Sequence, residues 1–280
     1  MAWVRAEELA PPGADLRALA GLRLHLVEGA GDPVFEVGYA LLAGYFGARG
    51  QIEAREDLAR ASAAPYHHRG IWAVHAILVA FDGEGAPAAA LGRYATYEPA
   101  SGLLAALDGS VLCVEARRGR GVGPALEGLS LGAGRRLLAI HGARAARVAL
   151  ELGDLEEAAG GEGEGEARAR ARVWARAGYL AIPRSVFPLA LVGMARGDDA
   201  EGRAAPVPML ALVRGEVCQG PTPAISRALL HALARHLEAA HAWAGAAGLA
   251  HATAAIDAAI DAAPADPVPL CALVDALTGA

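Results

Sequence analysis

Residues 111–126 read VLCVEARRGRGVGPAL, with arginines at 117, 118 and 120 threaded among glycines at 119, 121 and 123. A β-branched run reaching Glu115 predicts a strand. Pro124 predicts the first turn of a helix, where its missing N–H costs nothing. A glycine-rich turn between the two exposes successive backbone N–H groups at the positive end of that helix, which is chemistry for an anion. Without Cβ atoms, Gly119, Gly121 and Gly123 let a ligand approach the backbone closely. Arginines beside the turn add charge-assisted bonds to phosphate oxygens. A diphosphate fits this chemistry; a nucleic-acid patch and a solvated basic turn are the competing readings.

The rest of the chain narrows the choice. Its formal net charge is −6, and no aromatics interleave with the arginines, so a main business with nucleic acid is disfavoured. The chain has no lysine and no asparagine. Both have AT-rich codons, which points to a GC-rich bacterial genome rather than to a function. Without lysine there is no Walker A loop. The spacing G-x-G-x-G followed by proline is not the G-x-G-x-x-G of a dinucleotide-binding turn. Cys113, Cys218 and Cys271 form no C-x-x-C pair and read as small buried hydrophobes in a reducing compartment. His231, His236 and His241 are five residues apart, so each is turned about 140° from the last on a helix; no metal site is expected. The acidic N-terminal stretch MAWVRAEELAPPGADLR and the absence of an uninterrupted apolar run predict a cytoplasmic protein without membrane attachment.

The elements that must position the turn follow from periodicity. Leu22, Leu24 and Leu26 alternate with Arg23 and His25 as in a half-buried strand. Helical patterns cover 34–48 and 52–63. Residues 71–98 predict two strands around the turn DGEGAP, and 111–115 a further strand. A helix is expected from Pro124 to about Ile140, strands at 147–152, 179–182 and 209–214, and a polar loop at RGDDAEGR. The acidic half of GGEGEGEARARARVWARAGY reads as a loop. Its second half reads as a helix supported by the i,i+4 pairs Glu164–Arg168 and Glu166–Arg170. After 216 the chain becomes alanine-rich and helical, with Ile225, Leu229, Leu233 and Leu237 on one stripe. The expected organisation is an N-terminal segment (1–19), a main domain (20–215) and a helical C-terminal extension (216–280).

Arg118-Gly119-Arg120-Gly121-Val122-Gly123 resembles the acyl-CoA loop Q/R-x-x-G-x-G/A of the GCN5-related N-acetyltransferases. The order of elements over roughly 20–215 resembles that family as well, and RVWARAGYL (172–180) looks like its second signature. The fold implied is α/β (α+β), a mixed, mostly antiparallel sheet splayed at an acyl-CoA cleft and flanked by helices, with the C-terminal helices added. The implied function is transfer of an acyl group, acetyl first among the candidates, from acyl-CoA to a primary amine of a small molecule in a ternary complex. A GNAT-fold acyl-CoA sensor or scaffold is the alternative.

The resemblance assigns the CoA diphosphate to Arg118, Gly119, Arg120, Gly121, Val122 and Gly123. It assigns the pantetheine and the polarised thioester to backbone near Val114 and Glu115. Glu115 and Glu151 are the candidate bases. Where many members have a tyrosine acid, this sequence has Trp174, whose indole N–H is a donor and not a usable acid. Trp174 is therefore counted with the cofactor-binding residues, and Tyr179, after the signature glycine, with the catalytic candidates. No metal is implied, and the C-terminal helices could pair two copies in a homodimer. Tyr45, Phe46, Tyr94 and Tyr97 fall where the family builds its acceptor pocket, although core packing explains them equally well. His67 and His68 read as a surface pair.

Overall fold

The computed structural model describes residues 3–47, 52–156, 163–191, 207–219, 221–244, 247–273 and 276. The N-terminal half contains β1 (Trp3–Val4), α1 (Ala6–Leu9), β2 (Arg23–Leu26), α2 (Val34–Phe46), α3 (Arg55–Ala63), β3 (Tyr66–His68), β4 (Ile71–Phe81), β5 (Pro87–Glu98) and β6 (Leu103–Cys113). There follow α4 (Val122–Glu127), α5 (Ser130–Leu137), β7 (Val148–Glu156), α6 (Gly163–Arg176), β8 (Leu180–Ala181), β9 (Leu189–Leu191) and β10 (Val207–Gly215). The C-terminal part adds β11 (Ala224–Ile225), α7 (Arg227–Ala240), α8 (Ala247–Asp261) and β12 (Val268–Pro269). One sheet runs in the order β1-β2-β4-β5-β6-β7-β10-β8, with β3 on β4 and β9 on β10. The β6–β7 pair is parallel and its other neighbours are antiparallel. The fold class read from the sequence is the one observed.

Both faces of the central strands are covered, which is why β4 reads as a nearly unbroken apolar run instead of an alternation. Ala76, Leu78 and Ala80 pack with Leu126, Leu129 and Ala133 under α4 and α5. Ile77 and Val79 turn the other way, onto Phe35, Leu42 and Leu58 of α2 and α3. The second face continues under α7, whose Leu230, Leu233 and Leu237 meet Leu107, Leu150, Leu152 and Val213. The chain beyond 216 therefore shares the core of the sheet. Its helix starts at Arg227 behind a Ser226 cap, and Ile225 lies in β11 paired with Val268. The buried stripe accordingly starts at Leu230, with Leu229 on its flank.

Three expected boundaries move. The strand expected at 111–115 begins at Leu103 and ends at Cys113, and Glu115 opens a 3-10 turn, Glu115–Arg117. The Val114 N–H still bonds Ala88 O at 3.0 Å, but β5 begins at Pro87, which has no N–H to extend the ladder. The helix expected over 124–140 is broken at Gly128–Leu129 into α4 and α5, with the 3-10 turn Ala139–His141 beyond. Helix α6 begins inside the acidic half of its segment. The expected loop at 196–203 lies outside the described residues.

Close packing of α5 depends on small residues. A Cβ at Gly132 would sit 1.9 Å from Leu9 O of α1, and one at Gly134 would sit 2.4 Å from the Ala95 Cβ of β5. Gly132→Ala is expected to force α1 and α5 apart and lower the unfolding free energy by about 1–3 kcal/mol, measured by urea denaturation.

Two histidines are buried as neutral rings on the α7 face. His75 Nδ1 lies 3.2 Å from Ser62 Oγ, and His236 Nδ1 lies 2.7 Å from Thr96 Oγ1. Burial pushes each from the ordinary 6.5 down to about 4. The unfolded chain therefore binds more protons than the folded one between these values. Their contribution to stability is intact above about pH 6.5 and falls as the pH drops towards 4, at about 1.4 kcal/mol per pH unit for each ring. Chemical denaturation across that window checks the slope; a flat profile contradicts it.

Candidate functional site

The sheet opens at one place. Parallel pairing of β6 with β7 runs from Leu103↔Val148 to Leu107↔Leu152 and stops. Beyond it β6 stays with β5 as far as Ala89↔Cys113, while β7 follows β10 as far as Met209↔Glu156. The register between β5 and β6 shifts here, from Tyr94↔Leu107 to Arg93↔Gly109, which leaves Asp108 as an extra residue. Such a bulge bends and twists the strand that carries it. The strand leading to the glycine turn is thereby turned away from β7, and a fork results.

The glycine turn stands at the far end of β6. Arg118, Gly119, Arg120 and Gly121 are exposed, Val122 is buried and Val114 is half-buried. Gly119 and Gly121 are left-handed, at φ of +73° and +80°, and Gly121 is the N-cap of α4. No hydrogen bond from the Gly119, Arg120 or Gly121 N–H is found among the described residues. The Arg118 side chain folds back, its Nε donating to Cys113 O at 3.2 Å. The Gly123 N–H faces the Cys113 thiol. Burial pushes that thiol up, and the charge of Arg118 and the Gly123 N–H pull it back. The turn thus presents three free amides, with Gly123 engaged behind them.

A buried ionic cluster fills the closed end of the fork. Arg93, on the α5 face of β5, is 1 % exposed and donates through Nη2 to Leu152 O at 2.8 Å and Ala106 O at 3.3 Å. It ties together the last rungs of β6 and β7. It also pairs with Glu127 of α4, while Glu151 of β7 pairs with Arg214 of β10. Two cations thus face two carboxylates, as burial demands. Ser130 Oγ donates to Glu151 Oε1 at 2.8 Å. Tyr179 Oη accepts from Arg93 Nη1 at 3.1 Å and lies 3.0 Å from Glu127 Oε1 and 2.9 Å from Glu151 Oε2. Burial, more than any neighbouring charge, pushes the Tyr179 hydroxyl well above the ordinary tyrosine range, so it is a donor and not an acid at neutral pH. Trp174 is half-buried, its ring edge-on to Tyr179 at 4.9 Å between centroids.

The structure thus brings Glu151, Tyr179 and Trp174 together, with Glu151 and Tyr179 in the ionic cluster. Glu115 stands apart from them, exposed beside the turn. Reasoning from sequence missed Arg93 and Glu127. The available signal was register: Arg93 shares a face with Ala89, Leu91 and Ala95, and Glu127 follows Leu126 on a buried helix face. A charge at a core position needs a partner at another. His231 meets Asp257 and Asp261, His236 meets Thr96, and His241 stacks on Tyr94, so the three point to three places. Among the described residues no group of three or more His, Cys, Asp or Glu is placed to hold a metal ion. No helix among them is long and apolar enough to cross a membrane.

No family profile and no curated protein sequence matches this chain. Solved structures do. Nourseothricin acetyltransferase is 16 % identical, with a TM-score of 0.30 over 52 % of this chain and 66 % of its own. A GCN5-related N-acetyltransferase from Kribbella flavida is 14 % identical, with a TM-score of 0.38 over 70 % of this chain and 98 % of its own. A GNAT-superfamily phosphinothricin acetyltransferase from Sinorhizobium meliloti, solved with acetyl-CoA, is 15 % identical, with a TM-score of 0.29 over 50 % of this chain and 60 % of its own. The chain spans less than two thirds of the first and third of these proteins. In its mixed α/β architecture and mostly antiparallel sheet, the chain is similar to the GCN5-related N-acetyltransferases.

Proposed function

We propose that the chain is an acyl-CoA-dependent N-acyltransferase that moves an acyl group, acetyl in the simplest case, to the primary amine of a small molecule. The observation that carries this reading is the pairing of a forked parallel ladder with a glycine turn whose amides have no partner in the protein. Unengaged N–H groups aimed outward suit an anion, and Arg118 and Arg120 add charge beside them. A CoA diphosphate would lie on Gly119, Arg120 and Gly121, with its pantetheine entering between β6 and β7 near Val114. Direct attack by the amine needs a group to take its proton. Of the three catalytic candidates, exposed Glu115 is the one outside the ionic cluster and takes that role here. Glu151 and Tyr179 hold the fork together.

A second reading has its own support. Arg93, Glu127, Glu151 and Tyr179 fill the closed end of the fork with mutually bonded side chains, and Trp174 stands where a tyrosine acid is common. Such a protein would bind acyl-CoA as a sensor or scaffold and turn over slowly. Amine-dependent CoA release from acetyl-CoA, followed with a thiol reagent across a panel of primary amines, separates the two. Release above the hydrolytic background supports the enzyme; CoA binding without release supports the sensor.

A further inference from the structure

On the face of the fork opposite the glycine turn lies a second buried polar group, and its charges do not balance. Glu53, just ahead of α3, is 8 % exposed. Tyr94 Oη donates to Glu53 Oε1 at 2.6 Å, and Trp243 Nε1 donates to Tyr94 Oη at 3.1 Å. The donor chain Trp243→Tyr94→Glu53 runs one way and ends on the carboxylate, the direction that suits an anion. Among the described residues no cation pairs with Glu53, and none donates to its other oxygen. The ionic cluster around Arg93, by contrast, is matched charge for charge. Burying an ionised carboxylate without a counter-charge is costly, so an arrangement of this kind has its cation elsewhere.

The walls identify what that cation would be. The Tyr94 ring lies 4.8 Å from His75 and 4.8 Å from His241, and the Trp243 indole closes another side. Aromatic faces around a carboxylate are the chemistry that binds an ammonium group. The C-terminal segment supplies part of this wall and is pinned in place: Tyr66 Oη donates to Ala240 O at the end of α7. Position supports the same ligand. Tyr94 pairs with Leu107, the last β6 residue in register with β7 before the fork. Its neighbour Arg93 points to the opposite face.

We infer that Glu53, Tyr94 and Trp243 form an ammonium-binding cage completed by the C-terminal segment, and that it takes the cationic amine of a small-molecule substrate. This inference rests on the acyltransferase reading for its ligand, and the experiment separates the two. Titration calorimetry of the full chain with n-butylammonium chloride is run beside a titration with CoA. The wild type binds the ammonium salt. Glu53→Gln keeps the shape and the Tyr94 hydrogen bond but loses the charge, and its ammonium affinity falls at least tenfold, the loss of one charge-assisted contact. Glu53→Asp retains part of the affinity, and CoA binding is the same in all three.

Since Glu53 has no ion-pair partner in the protein, Glu53→Gln also melts no lower than the wild type. A lower melting temperature marks a structural role and overturns the cage. Trp243→Leu, which leaves the carboxylate intact, weakens the ammonium salt several-fold and serves if Glu53→Gln does not fold. Equal ammonium affinity in wild type and Glu53→Gln, or no ammonium binding by a wild type that binds CoA, overturns the cage and leaves the acyltransferase reading standing. Ammonium binding by a wild type that ignores CoA does the reverse.

Discussion

Arg93→Met lowers the unfolding free energy by about 3–5 kcal/mol, the cost of leaving one member of a buried ion pair without its partner. The guanidinium is 1 % exposed and serves Glu127, Tyr179 and the carbonyls of Ala106 and Leu152 together. Methionine fills much of the volume but donates nothing. The Glu127 carboxylate, 2 % exposed, is then left facing Tyr179 and, beyond it, Glu151. Urea denaturation should show the midpoint fall with the slope unchanged. Pairing the change with Glu127→Leu removes both charges, and most of the loss should return, because a buried ion pair seldom outperforms well-packed apolar side chains. If the single variant is as stable as the wild type, Arg93 does not hold the fork.

Gly121→Glu is expected to weaken CoA binding at least a hundredfold, about 3 kcal/mol. Gly121 sits at φ +80° with the Ala18 Cβ 3.3 Å from where its own Cβ would lie. A side chain there meets a left-handed backbone, at about 1–2 kcal/mol, and carries a carboxylate to the position proposed for the diphosphate. Gly119→Ala is the matched control. Its φ is +73° but its Cβ would meet nothing within 4 Å, so it bears the backbone cost alone and CoA affinity should fall less than tenfold. A Gly121→Glu protein that binds CoA as well as the wild type removes the turn from the site.

Local chemistry was legible in the sequence where it acts over a few residues. The DGEGAP turn folds as read, with Asp82 Oδ1 accepting from the Glu84 and Ala86 N–H groups. The strand-turn-helix path around Arg118–Gly123 follows from its glycines and Pro124. What escaped was long-range or irregular. The stretch LLAALDGS was not read as strand because Asp108-Gly109 looks like a turn, yet it is the bulged part of β6. The pairing of Arg93 with Glu127 joins residues far apart in sequence, and no local period reveals it. Glu53 gave no signal at all: its site exists only where the entry to α3, β5 and the end of α7 meet. The amphipathic stripe of α7 announced a buried face without saying that the centre of the sheet was its partner.

The account stands or falls on whether the glycine turn and the fork take acyl-CoA. Calorimetric titration of acetyl-CoA into the full chain tests this most directly. A saturable one-to-one isotherm, competed by CoA and suppressed by Gly121→Glu, is the result predicted. A folded wild-type protein that gives no binding heat and no rise in melting temperature with acetyl-CoA would contradict it.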